Sequence, residues 1–253
     1  MANEATRALL HRRIAVAEEI CAFASSLVVQ ANVALRERAI RLRNKDRLLV
    51  GLALKIDNAY RALIEDCKAE RSEAMHHLRT MAECMIYFYA VAQDPSDGME
   101  RRVLAKAFHE EAKFFKDNPG ETDPSEISEI EAVRARLLAG PPKVKPLPDL
   151  ATLAKSLEGV TSWYSRVYRM ACEPAHIGDV IEFIPQEDEA IGTGPAGDFA
   201  LFGAKDALWY GSHIVLSIMR TVCESTDLGL QAPFDVLESR LGDGGGPVNS
   251  EPK

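Results

Sequence analysis

Apolar residues recur at helical spacing along most of the chain, and this pattern predicts an all-helical protein. From Glu4 to about Arg43 no proline or glycine occurs, so one long helix of about ten turns is expected. Similar spacing, ended by turn signals, predicts four further helices over residues 44–70, 71–93, 99–116 and 123–140. The first helix is predicted to bury a stripe formed by Leu9, Ile14, Ala17, Ile20, Ala24, Leu27, Ala31 and Leu35.

The second half of the chain is less regular. A proline-rich connector precedes one or two helical turns near Asp149 and a helix over 161–173. Residues 177–203 are predicted to be irregular, and their apolar stretches 180–184 and 199–202 can pair as a short β-hairpin. A last long helix is expected over 205–226, followed by a turn at Pro233.

These elements predict an all-α fold class: a helical bundle with long N-terminal helices and a short irregular or β-hairpin insertion near 180–203. One domain is expected over residues 1–240. The glycine-rich segment 241–253 is predicted to be a disordered tail, because it lacks the apolar residues needed to pack against a core.

The net charge of the chain limits the classes of binding partner that are expected. The formal net charge of −8 argues against general nucleic-acid binding through bulk electrostatics. One stretch is an exception, because Arg36 to Arg47 has six basic and two acidic residues, a net of +4, which leaves −12 for the rest. Such a stretch is more often a solvated helix face than an RNA site, although it is a candidate for following a phosphate backbone.

Other features indicate a cytoplasmic protein that does not enter a membrane. No run of about 18 apolar residues occurs, and charges interrupt the N-terminal region where a secretory signal would lie. No C-x-x-C pair is present, and the scattered cysteines are expected to be reduced thiols. No cofactor is predicted either, because the glycines of "GTGPAG" lack the strand–turn–helix context of a dinucleotide loop. The cysteines are Cys21, Cys67, Cys84, Cys172 and Cys223.

The third predicted helix separates into an apolar and a polar face. On the polar face, Arg79 and Glu83 stand at positions i and i+4, where an ion pair can form. The face is either solvated, with an ion pair of little energetic weight, or it lines a cleft and orients a site. The polar line consists of Ser72, His76, Arg79 and Glu83, and the core stripe consists of Ala74, Leu78, Met81, Met85, Phe88 and Ala92.

A second candidate site lies in "YRMACEPAH", residues 168–176. Arg169 and His176 lie within about 20° of one line along a helix but about 10 Å apart along its axis. One helix therefore cannot bring the two side chains into contact. A phosphate could bridge them, or two copies could combine Arg169 and His176 across a two-fold axis, so a homodimer is expected.

The two segments together resemble a bacterial all-helical family of unknown function, over roughly residues 45–220. In that family an R-x-x-x-E helix precedes a helix ending Y-R-x-x-S-x-x-x-H; Arg79 with Glu83 matches the first, and Tyr168 and Arg169 with His176 match the second. Cys172 stands where serine is usual. More distantly, the chain is similar to the HEPN superfamily (higher eukaryotes and prokaryotes nucleotide-binding).

The HEPN resemblance implies two alternative functions in a stress, phage-defence or toxin–antitoxin system. In a metal-independent ribonuclease, Arg169 would neutralise the scissile phosphate and His176 would transfer a proton. In a non-catalytic interaction domain, which we favour, the same surface would bind an RNA or protein partner, with Tyr168, Cys172, Arg79, Glu83 and His76 contributing. Met170, directly after the arginine, and Pro174, within the spacing, depart from the nuclease pattern and favour the second function.

Two further alternatives concern single residues. In an interaction domain Arg169 could serve the fold alone, as the ion-pair partner of Glu83 on the neighbouring helix. A ferritin-like di-metal site would use two Glu-x-x-His motifs, Glu73 with His76 and Glu173 with His176. We predict no metal, because Pro174 disrupts the helical spacing of the second motif and Glu73 lies off the apolar stripe.

Overall fold

The computed structural model describes residues 2–37, 44–71, 73–96, 98–118, 124–140, 143–172, 196–226, 228 and 231–243. Every regular element in these ranges is helical, which confirms the predicted all-α bundle with long N-terminal helices. The helices are α1 (Ala2–Glu37), α2 (Asn44–Lys68), α3 (Ala74–Gln93), α4 (Gly98–Asp117), α5 (Pro124–Ala139), α6 (Leu150–Lys155), α7 (Thr161–Trp163), α8 (Arg169–Cys172), α9 (Ala196–Thr226) and α10 (Gln231–Asp243), with a π-helical turn (Tyr164–Tyr168) between α7 and α8.

The centre of the bundle is α9, which packs against α1, α2 and α3. The side chain of Tyr60, fully buried on α2, illustrates how closely the helices approach. Its ring lies against Gly211 of α9, where a β-carbon would come within 3.4 Å of the ring. Its hydroxyl forms a 2.6 Å hydrogen bond with Ser212, which donates in turn to the carbonyl of Leu208. The hydroxyls of Tyr60 and Ser212 are thus paired inside the core, as low polarity demands.

Local hydrogen bonds join the ends of successive helices. The carboxylate of Asp94, just after α3, accepts hydrogen bonds from the backbone N–H groups of Ser96 and Met99 and so caps the start of α4. Partial burial would raise the pKa of Asp94, but these hydrogen bonds outweigh it and lower that pKa. Lys45 at the start of α2 donates to the carbonyls of Ala92 and Asp94 at 3.4 and 2.5 Å. One cation of the basic stretch therefore stabilises the end of α3.

Two local predictions in the second half of the chain were wrong. Residues 199–202 belong to α9 and form no strand, because a continuing helix satisfies its backbone hydrogen bonds internally whereas a strand needs a partner. The first predicted strand, 180–184, lies outside the described residues. Pro233 does not mark a turn but lies in the first turn of α10, where proline is tolerated because its missing N–H has no helical acceptor.

Other predicted boundaries differ from those of the structure by a few residues or lie outside the described residues. Helix α1 is described to Glu37, and the remainder of its predicted span, 38–43, lies outside the described residues. Helix α10 continues to Asp243, so it includes the first three residues of the predicted tail. One hydrophobic cluster contains buried residues of α1, α2, α3, α4, α6, α8, α9 and α10. The extent of the domain, 1–240, stays a prediction.

Helix α1 is long and apolar enough over Glu4–Ala34 to cross a membrane, judged by length and composition alone. A core helix of a globular bundle meets the same criteria, and α1 buries one stripe against its neighbours. This stripe contains Leu10, Ala17, Ile20, Ala24, Leu27 and Ala31. Packing within the bundle buries 39% of the most apolar window of this helix.

A pair of leucine substitutions tests this packing. Leu27→Ala in α1 removes a side chain with no exposure, and we expect it to lower the free energy of unfolding by about 2–5 kcal/mol, because a cavity is left in the core. Leu54→Ala in α2 removes a side chain that is 42% exposed, so a loss below about 1 kcal/mol is expected. Urea denaturation measures both; equal losses would contradict the described packing.

Candidate functional site

The segment that carries the second sequence motif is one continuous helical run with a π-helical turn in its middle. The backbone N–H of Arg169 donates to the carbonyl of Tyr164, five residues earlier, which inserts one extra residue into the turn. Such π-turns are rare and often occur at functional sites. Here Tyr164 and Tyr168 stack, with ring centroids 5.2 Å apart and ring planes inclined by 17°.

Helix α3 packs against this run and places Arg79 beside Tyr168. The guanidinium carbon of Arg79 lies 5.7 Å from the centroid of the Tyr168 ring, which is a cation–π distance. The neighbouring Tyr168 hydroxyl raises the pKa of Arg79. Burial raises the pKa of Tyr168, although the neighbouring Arg79 guanidinium opposes this effect. The two sequence motifs therefore meet through Arg79 and Tyr168.

The carboxylate of Glu83 has a different neighbour from the one predicted. Glu83 and Arg79 form no ion pair in the described structure, because Arg79 turns to Tyr168 on the neighbouring helical run. Glu83 lies beside Tyr87, one turn along α3. Burial, followed by the negative charge of Glu83, raises the pKa of the Tyr87 phenol. The expected i, i+4 ion pair of α3 was therefore wrong.

Arg169 is exposed and makes no side-chain hydrogen bond or ion pair with any described residue. It does not pair with Glu83 in the described structure, and a structural role for Arg169 through another carboxylate stays a prediction. Cys172, one turn further along α8, is half-buried and carries a free thiol. We name Arg79, Tyr164, Tyr168 and Arg169 the arginine–tyrosine surface.

The remaining predicted site residues lie apart from this surface or outside the description. His76 is exposed in the first turn of α3, and Glu73 precedes that helix, also exposed. Glu173 and His176 lie outside the described residues, so the pairing of Arg169 with His176 stays a prediction. Within the described ranges, no group of three or more His, Cys, Asp or Glu side chains could hold a metal ion.

Sequence reasoning missed Tyr164 and Tyr87 as members of this region. A signal existed for both, because Tyr164 precedes Tyr168 by four residues and Tyr87 follows Glu83 by four. At that spacing aromatic and acidic side chains become neighbours on a helix. The π-turn could not be predicted from the spacing of apolar residues, because this helical segment is too short for one extra residue to disturb its pattern.

Substitution of the two arginines should separate their roles in stability. Arg79→Ala removes the cation–π contact with Tyr168, and a loss of about 0.5–1 kcal/mol in the free energy of unfolding is expected. Arg169→Ala should change it by less than about 0.5 kcal/mol, because that exposed side chain has no described partner. Urea denaturation of both variants makes the comparison, and a larger loss for Arg169→Ala would restore its structural role.

Comparison with known proteins places this site within a family. No curated protein and no solved structure matches the chain. The model of a family of unknown function, DUF5677, matches residues 46–189, a range that begins in α2 and includes both motifs of the arginine–tyrosine surface. The predicted membership of a family of unknown function is confirmed, whereas the likeness to the HEPN superfamily stays a prediction. Because the match covers more than half of the sequence, the chain belongs to the DUF5677 family.

Proposed function

We propose that this protein is a non-catalytic, HEPN-like interaction domain that binds single-stranded RNA through the arginine–tyrosine surface. The observation that carries the proposal is the state of Arg169, a charged side chain that is exposed and unused by the described fold. It follows directly after Tyr168, whose ring is fixed by Tyr164 and Arg79. An exposed cation beside a fixed aromatic pair suits a ligand that carries phosphates and planar bases.

The chemistry of RNA recognition fits this pairing of groups. Unpaired bases stack on aromatic side chains and on arginine planes, and arginine neutralises the adjacent phosphates. The net charge of −8 excludes attraction by the protein as a whole, so binding would depend on this local group. An affinity that falls only modestly with salt is expected, since few phosphates are neutralised.

The proposal also includes the cellular location of the protein and the system in which it acts. All five cysteines are free thiols, which fits the reducing cytoplasm. A role in a stress, phage-defence or toxin–antitoxin system follows from the HEPN resemblance alone.

Binding of labelled single-stranded RNA tests the proposal. We expect wild-type protein to raise the fluorescence anisotropy of a mixed-sequence RNA. Arg169→Gln should weaken that binding about tenfold or more, because a charge-assisted hydrogen bond to phosphate is lost. Arg136→Gln on α5 is the matched control, since it removes an exposed arginine elsewhere and should leave the affinity unchanged.

Two results would contradict this function. Equal RNA affinity of wild type and Arg169→Gln would remove the surface as the binding site. Cleavage of the RNA by wild type in EDTA, abolished by both Arg169→Ala and His176→Ala, would establish the alternative metal-independent ribonuclease.

The homodimer is tested separately. Light scattering at micromolar concentration should give twice the 27.8 kDa mass of one chain, since two copies can align their Arg169 residues along one RNA strand. A mass of one chain would remove this part of the proposal and the composite Arg169–His176 site with it.

A further inference from the structure

A second site candidate lies between α4, α5 and the proline-rich connector. These elements enclose a cavity of about 240 Å³. Three basic side chains of α4 line it, namely Arg102, Lys106 and His109, whose spacing of four and three residues forms one stripe of the helix. Arg134 of α5 lines it from the opposite wall. The cavity is therefore bordered by cationic groups in a chain that is acidic as a whole.

Two hydrogen bonds hold the connector over this cavity. Arg102 donates from Nη2 to the carbonyl of Pro146 at 2.9 Å, and the backbone N–H of Val144 donates to the carbonyl of Leu138 at 3.1 Å. Leu138 and the connector residues Leu147 and Pro148 supply apolar walls. The proline-rich sequence suits this task, because its restricted backbone loses little entropy when it is fixed. A cationic edge thus adjoins an apolar wall.

Two of these cations, Arg102 and Arg134, keep hydrogen-bond donors that the described fold does not use. The Nε atom of Arg102 is buried and has no hydrogen-bond acceptor among the described residues. Arg134 is half-buried and likewise forms no hydrogen bond or ion pair within the described ranges. Lys106 pairs with Glu110, on the exposed side of α4. A buried donor without an acceptor is costly, so this arrangement suits a bound anion.

The single carboxylate in the cavity lining does not neutralise these cations. Asp149 accepts hydrogen bonds from the backbone N–H and the hydroxyl of Thr152, at 2.9 and 2.8 Å. It caps the start of α6 in this way, and these bonds lower the pKa of Asp149. The negative charge of Asp149 thus stabilises the start of α6.

We propose that this cavity binds a small organic phosphate monoester. Its phosphate would lie between Arg102 and Arg134, because the planar guanidinium donates two parallel hydrogen bonds to phosphate oxygens. A phosphate monoester carries close to two negative charges at neutral pH, which matches the two arginines of the lining. The organic group would rest against Leu138 and Leu147, and its burial adds affinity that a bare anion lacks. The site is built by α4 and α5, so it stands independently of the arginine–tyrosine surface.

Phenyl phosphate is a suitable probe, with inorganic phosphate as its charged part and benzyl alcohol as an uncharged aromatic control. In an NMR titration of the full chain we expect saturable shifts for phenyl phosphate at the backbone amides of α4 and α5 and at the imidazole of His109. Inorganic phosphate and benzyl alcohol should each bind at least about tenfold more weakly, because each forms only part of the contacts.

Matched arginine variants locate the phosphate. Arg134→Gln should weaken phenyl phosphate binding about tenfold or more, and its fold should be retained because the side chain has no described partner. Lys106→Gln, whose surface pair contributes little to stability, should weaken it less. Arg136→Gln, two residues along the same helix and outside the cavity, should bind as wild type does.

Three results would overturn the inference. Wild-type protein that shows no saturable shifts with phenyl phosphate would remove the site. Equal affinity of Arg134→Gln and wild type would place the anion elsewhere. Inorganic phosphate that binds as tightly as phenyl phosphate would exclude an organic ligand held by the apolar wall.

Discussion

Burial of α9 among α1, α2 and α3 is the interaction on which the rest of this protein depends. Helix α9 is apolar on nearly all sides over its middle turns, as expected of a helix enclosed by others. Its buried residues there include Leu208, Ile214, Val215, Leu216, Ile218 and Met219. Helix α3 packs against α9 and α2 in this bundle, and it also contacts the π-helical run and α4.

The family match covers only some of the helices in this arrangement. The matched range, 46–189, contains α2 to α8 but neither α1 nor α9. The two motif segments, on α3 and on the run from α7 to α8, lie inside the matched range, while helices α1 and α9 outside the match fill the centre of the bundle. The matched range contains the arginine–tyrosine surface, and the flanking helices pack against the matched helices.

Arginines in this protein fall into two groups by how the fold uses them. Arg13 is buried and donates to the carbonyl of Lys205 and to Asp206, so its charge serves the contact between α1 and α9. Arg79 fixes the ring of Tyr168. Arg134 and Arg169 have no described hydrogen bond or ion pair, and they lie at the two places where we infer ligands. Charge that the fold does not use is the common feature of both sites.

The sequence by itself determined the all-α class and most of the first five helices, because a helix records its buried face and its end signals within a few neighbouring residues. It also identified the segments around Arg79 and Tyr168 as the chemically informative ones. Only the tertiary structure decided that Arg79 contacts Tyr168 and not Glu83, and that the connector covers a cationic cavity beside Arg102. Those choices depend on residues far apart in the chain, which compete for the same partner only after the helices have packed. The spacing of residues along the sequence therefore does not predict which partner each side chain contacts.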